Sequence, residues 1–321
     1  MTIVSNDSSW WPVIDAYRFS SYFTLAAVVA VVYDWALTFG QEVELVWRQR
    51  WSLMTFLYLG VRYLGILSAA LTVLNSLPTI SLTGTSTHDR HRCRIMYLVL
   101  DWINVLVFPM LWVIIITRLY AMYQGSRKIL IFLIVTFLAD NIFNVVVVIM
   151  STMHISAEEY IISGTYMCPI NLPEDVSLLG SITWILGTVW EVLVLCLAVW
   201  IAVKHFRELR RHSAGEILGD CFSVLIKTHT VYFASFVAVS CFQLAINLSP
   251  TILADLYSLE TQALVSLLQI FTAVQAYVLG PRLILGVREY HAKLVANSDA
   301  ASAMTSIAFQ ERVHVSTSSS V

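Results

Sequence analysis

Seven apolar stretches, each long enough to cross a bilayer, constrain this chain more than any motif does. They run approximately Ser20–Phe39, Ser52–Leu74, Ile95–Tyr120, Ile129–Met153, Ser177–Val203, Phe222–Asn247 and Thr261–Leu285. A hydrocarbon core about 30 Å thick needs ~20 apolar residues per helix. Lipid leaves backbone polar groups to be satisfied by the protein itself, so spans are helices or closed barrels. Uninterrupted runs fit helices, whereas barrel strands alternate over segments of about 10 residues. The fold class read from the sequence is therefore all-α, an integral membrane bundle of seven transmembrane helices.

Composition agrees with this reading. The chain is 58% hydrophobic and 12% charged, where an ordinary globular domain is roughly 25% charged. Mean hydropathy is +0.74, and a net charge of −2 gives no basic surplus for nucleic acid. Residues 1–19 are polar and aromatic without an apolar core, so they read as an extracellular N-terminal segment and not as a cleavable signal. The transmembrane domain is placed at 20–290. From 291 to 321 the apolar pattern is lost and Ser, Thr and Ala take over, the composition of a disordered cytoplasmic tail.

Orientation follows from Lys and Arg beside the spans. Arg48, Arg50, Arg118, Arg127, Lys128, Lys204, Arg207, Arg210, Arg211, Arg282, Arg288, Lys293 and Arg312 fall on one side. Arg18, Arg90, Arg92 and Arg94 fall on the other. The imbalance places the N-terminus outside and the C-terminus in the cytoplasm. The sequon at Asn6 then lies outside, where it would be glycosylated.

Ionised groups inside spans are costly and mark functional or pairing positions. Asp34 in the first span and Arg62 in the second sit on either side of a short linker bearing Glu42, Glu44, Arg48 and Arg50. Their depths differ by about five residues, or ~8 Å of helix, within reach of an arginine side chain. Asp101, Asp140, Glu191, Lys227 and His229 complete the set of ligand or polar-core candidates. One reading makes these residues interhelical glue that fixes helix register, with Lys227 snorkelling to the interface. The other makes them a ligand, ion or proton pathway. The run Lys204, Arg207, Arg210 and Arg211 is either topology-setting charge against anionic lipid or a docking surface for a cytoplasmic partner.

Cys93 and Cys168 both fall on the outer side, where disulfides persist. A bridge between them would draw the loop 154–176 over the bundle mouth; the alternative is two free thiols. Catalytic readings find little to use. Of the histidines only His229 lies inside a span, too few ligands for an intramembrane metal hydrolase, and no P-loop or dinucleotide fingerprint occurs. A non-enzyme without metal or cofactor is expected.

The stretch around the first linker carries Tyr33, Asp34, Leu37, Thr38, Phe39, Glu42, Val43, Trp47, Trp51, Ser52, Arg62 and Tyr63. In this spacing, over about 22–67, it resembles a family of multi-pass membrane proteins from mushroom-forming fungi catalogued as a domain of unknown function. That resemblance implies a fungal multi-pass membrane protein and supplies no activity, substrate or cofactor. In topology the chain also looks like the G-protein-coupled receptors. It departs from them in motif: Thr117-Arg118-Leu119-Tyr120 ends the third span, and Leu279-Gly280-Pro281-Arg282 lies in the seventh.

Two functional readings result. The first is a receptor-like sensor of a small molecule or lipid bound near Asp101, with a G protein docking at the loop between the fifth and sixth spans and the Ser/Thr tail regulating it. The second is a transporter or channel using Asp34, Arg62, Asp140 and Glu191 as a polar path. A membrane scaffold without ligand is the plainest third. The plasma membrane is the default location.

Overall fold

A computed structural model gives the arrangement and describes residues 2–5, 7, 10–76, 86–123, 125–157, 159–162, 165–167, 170–171, 173–211, 216–249, 258–289 and 292. Within these, side chains are described except at 2–5, 76, 86–92, 156–157, 159–161, 165–167, 170–171, 205–206, 208–211 and 216–230. Among the described residues seven helices are long and apolar enough to cross a membrane, as the hydropathy reading expects. They are α1 (Trp11–Glu42), α2 (Leu53–Ser76), α3 (Ser86–Met122), α4 (Arg127–His154), α5 (Glu174–Arg211), α6 (Glu216–Leu248) and α7. The last begins as Leu259–Val274, passes through a π-helical turn at Gln275–Leu279 and runs on as helix to Glu289.

Helix 1 departs from its apolar boundaries at both ends. Its helix starts at Trp11, with Pro12 in the first turn where a missing N–H costs nothing. It continues past Phe39 to Glu42 and closes in a π-helical turn, Val43–Trp47. Glu42, read above as a linker residue, is helical and wholly buried. The helix goes on because its carboxylate has partners inside the protein.

Neighbours in sequence pack as neighbours in space, and α7 closes the ring against both α1 and α6. Helix α3 lies inward, touching α2, α4, α5 and the π-helical turn of α7. One core joins Tyr58, Val61, Ile103, Val107, Leu111 and Ile284 across α2, α3 and α7. A second joins Trp112, Leu119, Leu133, Trp190 and Ala198 across α3, α4 and α5, with the Trp112 and Trp190 rings stacked at 4.3 Å. Large apolar side chains such as Val29, Phe132, Ile142 and Trp200 point outward and stay uncovered by protein. Such a surface suits lipid, which removes it from water without protein burial.

Short strands outside the spans add to the helical reading. β1 (Thr2–Ser5) pairs in parallel with β3 (Glu159–Ile162), which pairs antiparallel with β4 (Thr165–Met167). β2 (Ser156–Ala157) pairs antiparallel with β5 (Ile170–Asn171). The segment is rich in β-branched and aromatic residues, which favour strands. Fully buried Ile162 packs on Ile14 of α1, and β2 and β3 contact α3. The described strands of this segment thus lie against α1 and α3. The bundle has a strand-capped end and, opposite, a basic end bearing Arg48, Arg50, Arg127, Lys128, Lys204 and Arg207.

Candidate functional site

On α1, Asp34, Thr38 and Glu42 follow at four-residue intervals, so all three fall on one helix face. That face meets Arg62 of α2, and all four residues are less than a tenth exposed. Arg62 Nη1 donates to Asp34 Oδ2 at 2.5 Å, and Nη2 donates to Thr38 Oγ1. Its Nε lies 3.9 Å from Glu42 Oε2. Thr38 passes its own proton back to the Asp34 carbonyl at 2.7 Å.

Each carboxylate has further donors. Glu42 accepts from Tyr58 Oη at 3.1 Å, Tyr63 Oη at 2.8 Å and Trp47 Nε1 at 3.0 Å. Asp34 Oδ1 accepts from Arg282 Nε of α7 at 2.5 Å, a side chain 47% exposed. The cluster therefore holds two carboxylates and two guanidiniums, a neutral sum. Breaking such a buried set by removing one member leaves an uncompensated charge, which costs about 3–5 kcal/mol. Arg288 adds a tie without a carboxylate, donating to the Leu45 carbonyl at 2.8 Å, Thr55 Oγ1 at 2.7 Å and Ser52 Oγ at 3.3 Å. This assembly, the clasp, joins α1, α2 and α7 in the basic half of the bundle.

Helix 7 is shaped for this contact. Pro281 has no N–H, so the Tyr277 carbonyl loses its usual donor four residues on. Arg62 Nη1 lies 3.5 Å from that carbonyl. The Tyr277 hydroxyl reaches the other way, to Ser68 Oγ at 3.3 Å and Asn104 Oδ1 at 3.5 Å. Gly65 makes the close approach possible: a Cβ there would stand 2.5 Å from Tyr277 Cδ1.

The remaining carboxylates gather elsewhere. Asp101 of α3, Asp140 of α4 and Glu191 of α5 line one cavity of about 450 Å³ in the strand-capped half. Asn141, Asn144 and Ser240 line it too, and among its described lining residues none is Lys, Arg or His. Ser240 Oγ donates to Glu191 Oε2 at 2.5 Å, while Asp140 Oδ1 is buried with no hydrogen-bond partner among the described residues. A second cavity of about 580 Å³ lies between α1, α2, α3, α6 and α7. The two share Asn104, Phe108, Trp184 and Asn247 as walls.

The structure thus separates what the sequence grouped. Asp34 and Arg62 pair, as their depths suggest, while Asp101, Asp140 and Glu191 form a different site. Lys204 and Arg207 are exposed at the basic end. Arg210 and Arg211 lie in α5 and Lys227 and His229 in α6, their side chains outside the described set. Cys93 is buried at the head of the third span, and Cys168 and Asn6 lie outside the described residues. Cys196 and Cys241 are free. No group of three metal-ligating side chains occurs among the described residues.

Sequence reasoning missed Thr38, Glu42, Trp47, Tyr58, Tyr63, Tyr277, Arg282 and Arg288 as clasp members. The four-residue spacing from Asp34 to Glu42 was the available signal for the first two.

Fold and site together define a seven-helix membrane bundle locked by ion pairs inside its spans. Residues 22–67 match the model of a family described as Family of unknown function (DUF6533), and no curated protein matches the chain. The matched segment contains Asp34, Thr38, Glu42, Trp47, Tyr58, Arg62 and Tyr63, so it is similar to that family over the α1–α2 share of the clasp. Tyr277, Arg282 and Arg288 come from beyond it.

Proposed function

We propose that the protein is a receptor-like sensor of a small molecule or lipid, taken up in the strand-capped half beside Asp101. The carrying observation is the division of the bundle. The acidic cavity lies in the strand-capped half and the larger one reaches down to Tyr277, and neither is lined by a carboxylate or guanidinium of the clasp. Such a layout suits binding at one end and readout at the other, where α5 runs on through Lys204 and Arg207 at the basic end. A heterotrimeric G protein is the proposed partner there, and the Ser/Thr tail the regulatory segment.

Several finer features belong to this proposal. The protein is a fungal-type multi-pass protein of the plasma membrane, with its N-terminus outside by the distribution of Lys and Arg. A Cys93–Cys168 bridge holds the strand cap down, supported by the burial of Cys93 and the packing of the cap on α1 and α3. Asn6 is glycosylated, and the protein is no enzyme.

The test is affinity purification from native membranes in mild detergent, with and without a non-hydrolysable GTP analogue. Nucleotide-sensitive recovery of a G protein is the expected result. Its absence from intact, folded protein ends the coupling proposal.

A second reading has its own observation. Three carboxylates in one cavity, with no cation among its described lining residues, suit a cation or proton carrier. That reading predicts flux into liposomes, lost in Glu191→Gln; tight liposomes without flux count against it.

A further inference from the structure

The larger cavity, of about 580 Å³, carries an inference of its own. Its volume falls within the range of small-molecule sites, and such sites combine an apolar lining with a few placed polar groups. Its apolar wall includes Ala27, Val31, Ala69, Val107 and Leu268. Among the described residues that line it, none is Asp, Glu, Lys, Arg or His. This separates it sharply from the acidic cavity across the shared wall.

Its polar groups are hydroxyls and neutral amides, and they are only partly spent on one another. Thr24 Oγ1 shares its proton between the Ser20 carbonyl at 3.1 Å and Gln269 Oε1 at 3.3 Å, and the Gln269 amide NH2 has no protein acceptor among the described residues. Gln243 Nε2 donates to Asn247 Oδ1 at 3.1 Å, which leaves the Gln243 carbonyl and the Asn247 NH2 without a partner among the described residues. Asn104 accepts from Tyr277 through its oxygen at 3.5 Å, and its NH2 has no acceptor among them. Both donors and acceptors therefore remain, in a chamber without charge. An ionised ligand there would lose its hydration and gain no counter-charge, a cost of several kcal/mol. A purely apolar one would leave the amides unanswered.

We propose that this cavity binds an uncharged amphiphile, an apolar body carrying a hydroxyl or carbonyl head that the Asn104, Gln243, Asn247 and Gln269 amides recognise. Such a ligand partitions into the bilayer and reaches the site from the hydrocarbon. The binding site is distinct from the one beside Asp101, and it stands whether or not a G protein couples.

The experiment uses the full chain in phosphatidylcholine nanodiscs with two photoreactive, alkyne-tagged neutral probes, a sterol and a monoacylglycerol. A photoreactive fatty acid serves as the charged control. Two substitutions fill the chamber: Ala69→Phe, at a buried wall position, and Val265→Phe, at a half-exposed one where added volume is easier to place. The expected result is labelling by at least one neutral probe on the cavity-lining peptides of α2 and α7. That labelling falls at least tenfold in Val265→Phe and in Ala69→Phe where it keeps its melting temperature, and it is unchanged in Glu191→Gln. Three results overturn the proposal. They are no specific labelling by either neutral probe, labelling that persists in folded Val265→Phe on outward residues such as Val29 and Phe271, and equal labelling of the cavity by the fatty acid. None of them bears on nucleotide-sensitive recovery of a G protein, so the two proposals fail separately.

Discussion

The clasp buries its carboxylates fully and the acidic cavity leaves Asp101 and Asp140 partly exposed, and the two treat their charges oppositely. In the clasp every carboxylate meets a guanidinium: Asp34 has Arg62 and Arg282, and Glu42 has Arg62 with three neutral donors. In the cavity Asp101, Asp140 and Glu191 share a space with no cation among its described lining residues. Paired charge fixes the geometry of helices that have little hydrophobic reason to choose one neighbour over another in lipid. Unpaired acid draws a proton, a cation or a ligand. One region ties its charges together, and the other leaves its carboxylates without a guanidinium among the described residues.

The comparison breaks most visibly at Arg62. Arg62→Ala leaves Glu42 with neutral donors alone and Asp34 with only the half-exposed Arg282, and a loss of about 3–5 kcal/mol is expected, read as a collapse of the melting transition in detergent. A mild shift would mean that Arg62 does not hold the clasp together. Next comes Gly65→Ala, whose added Cβ collides with the Tyr277 ring. Overpacking of this kind costs about 1–3 kcal/mol, and Gly40→Ala, with open space around it, is the control that melts no lower than the parent.

Smaller effects sharpen the contrast. Arg282→Ala removes a guanidinium that is half in solvent, so about 1 kcal/mol or less is expected, declining further in high salt. A salt-independent loss of several kcal/mol would move Arg282 into the buried part of the clasp. Smallest is Glu191→Gln, which keeps an acceptor for Ser240 and removes a carboxylate lacking a cation. Melting is expected to stay within about 1 kcal/mol of the parent. A large loss there would show that Glu191 is structural after all and erase the distinction between the two regions.

The number of helices and the Asp34–Arg62 pair were legible from the sequence because both rest on lengths. Twenty apolar residues measure a bilayer, and helical rise measures the depth of each charge below a shared linker. What was not legible was rotation. A helix apolar all round presents no face that names its neighbour, so α7 could not be set against α1, and Arg282 and Arg288 read as charges that merely set topology. Glu42 was misplaced for a related reason. It sits among Glu44, Arg48 and Arg50, where composition says linker, and only its fourfold step from Asp34 and Thr38 says helix. The split of the carboxylates into two sites likewise depends on which sides of α3, α4 and α5 face one another.

Tyr277 belongs to two chambers at once, its hydroxyl in the wall of the neutral cavity and its carbonyl beside Arg62. Thermodynamic linkage makes any communication through it symmetrical. If filling the cavity shifts the tyrosine and loosens the clasp by some factor, then loosening the clasp must improve binding in the cavity by that same factor. A weakened clasp variant that still folds would then be the tighter binder. The residue would act as a balance beam between a lipid-fed chamber and an ionic knot, with each side able to weigh the other.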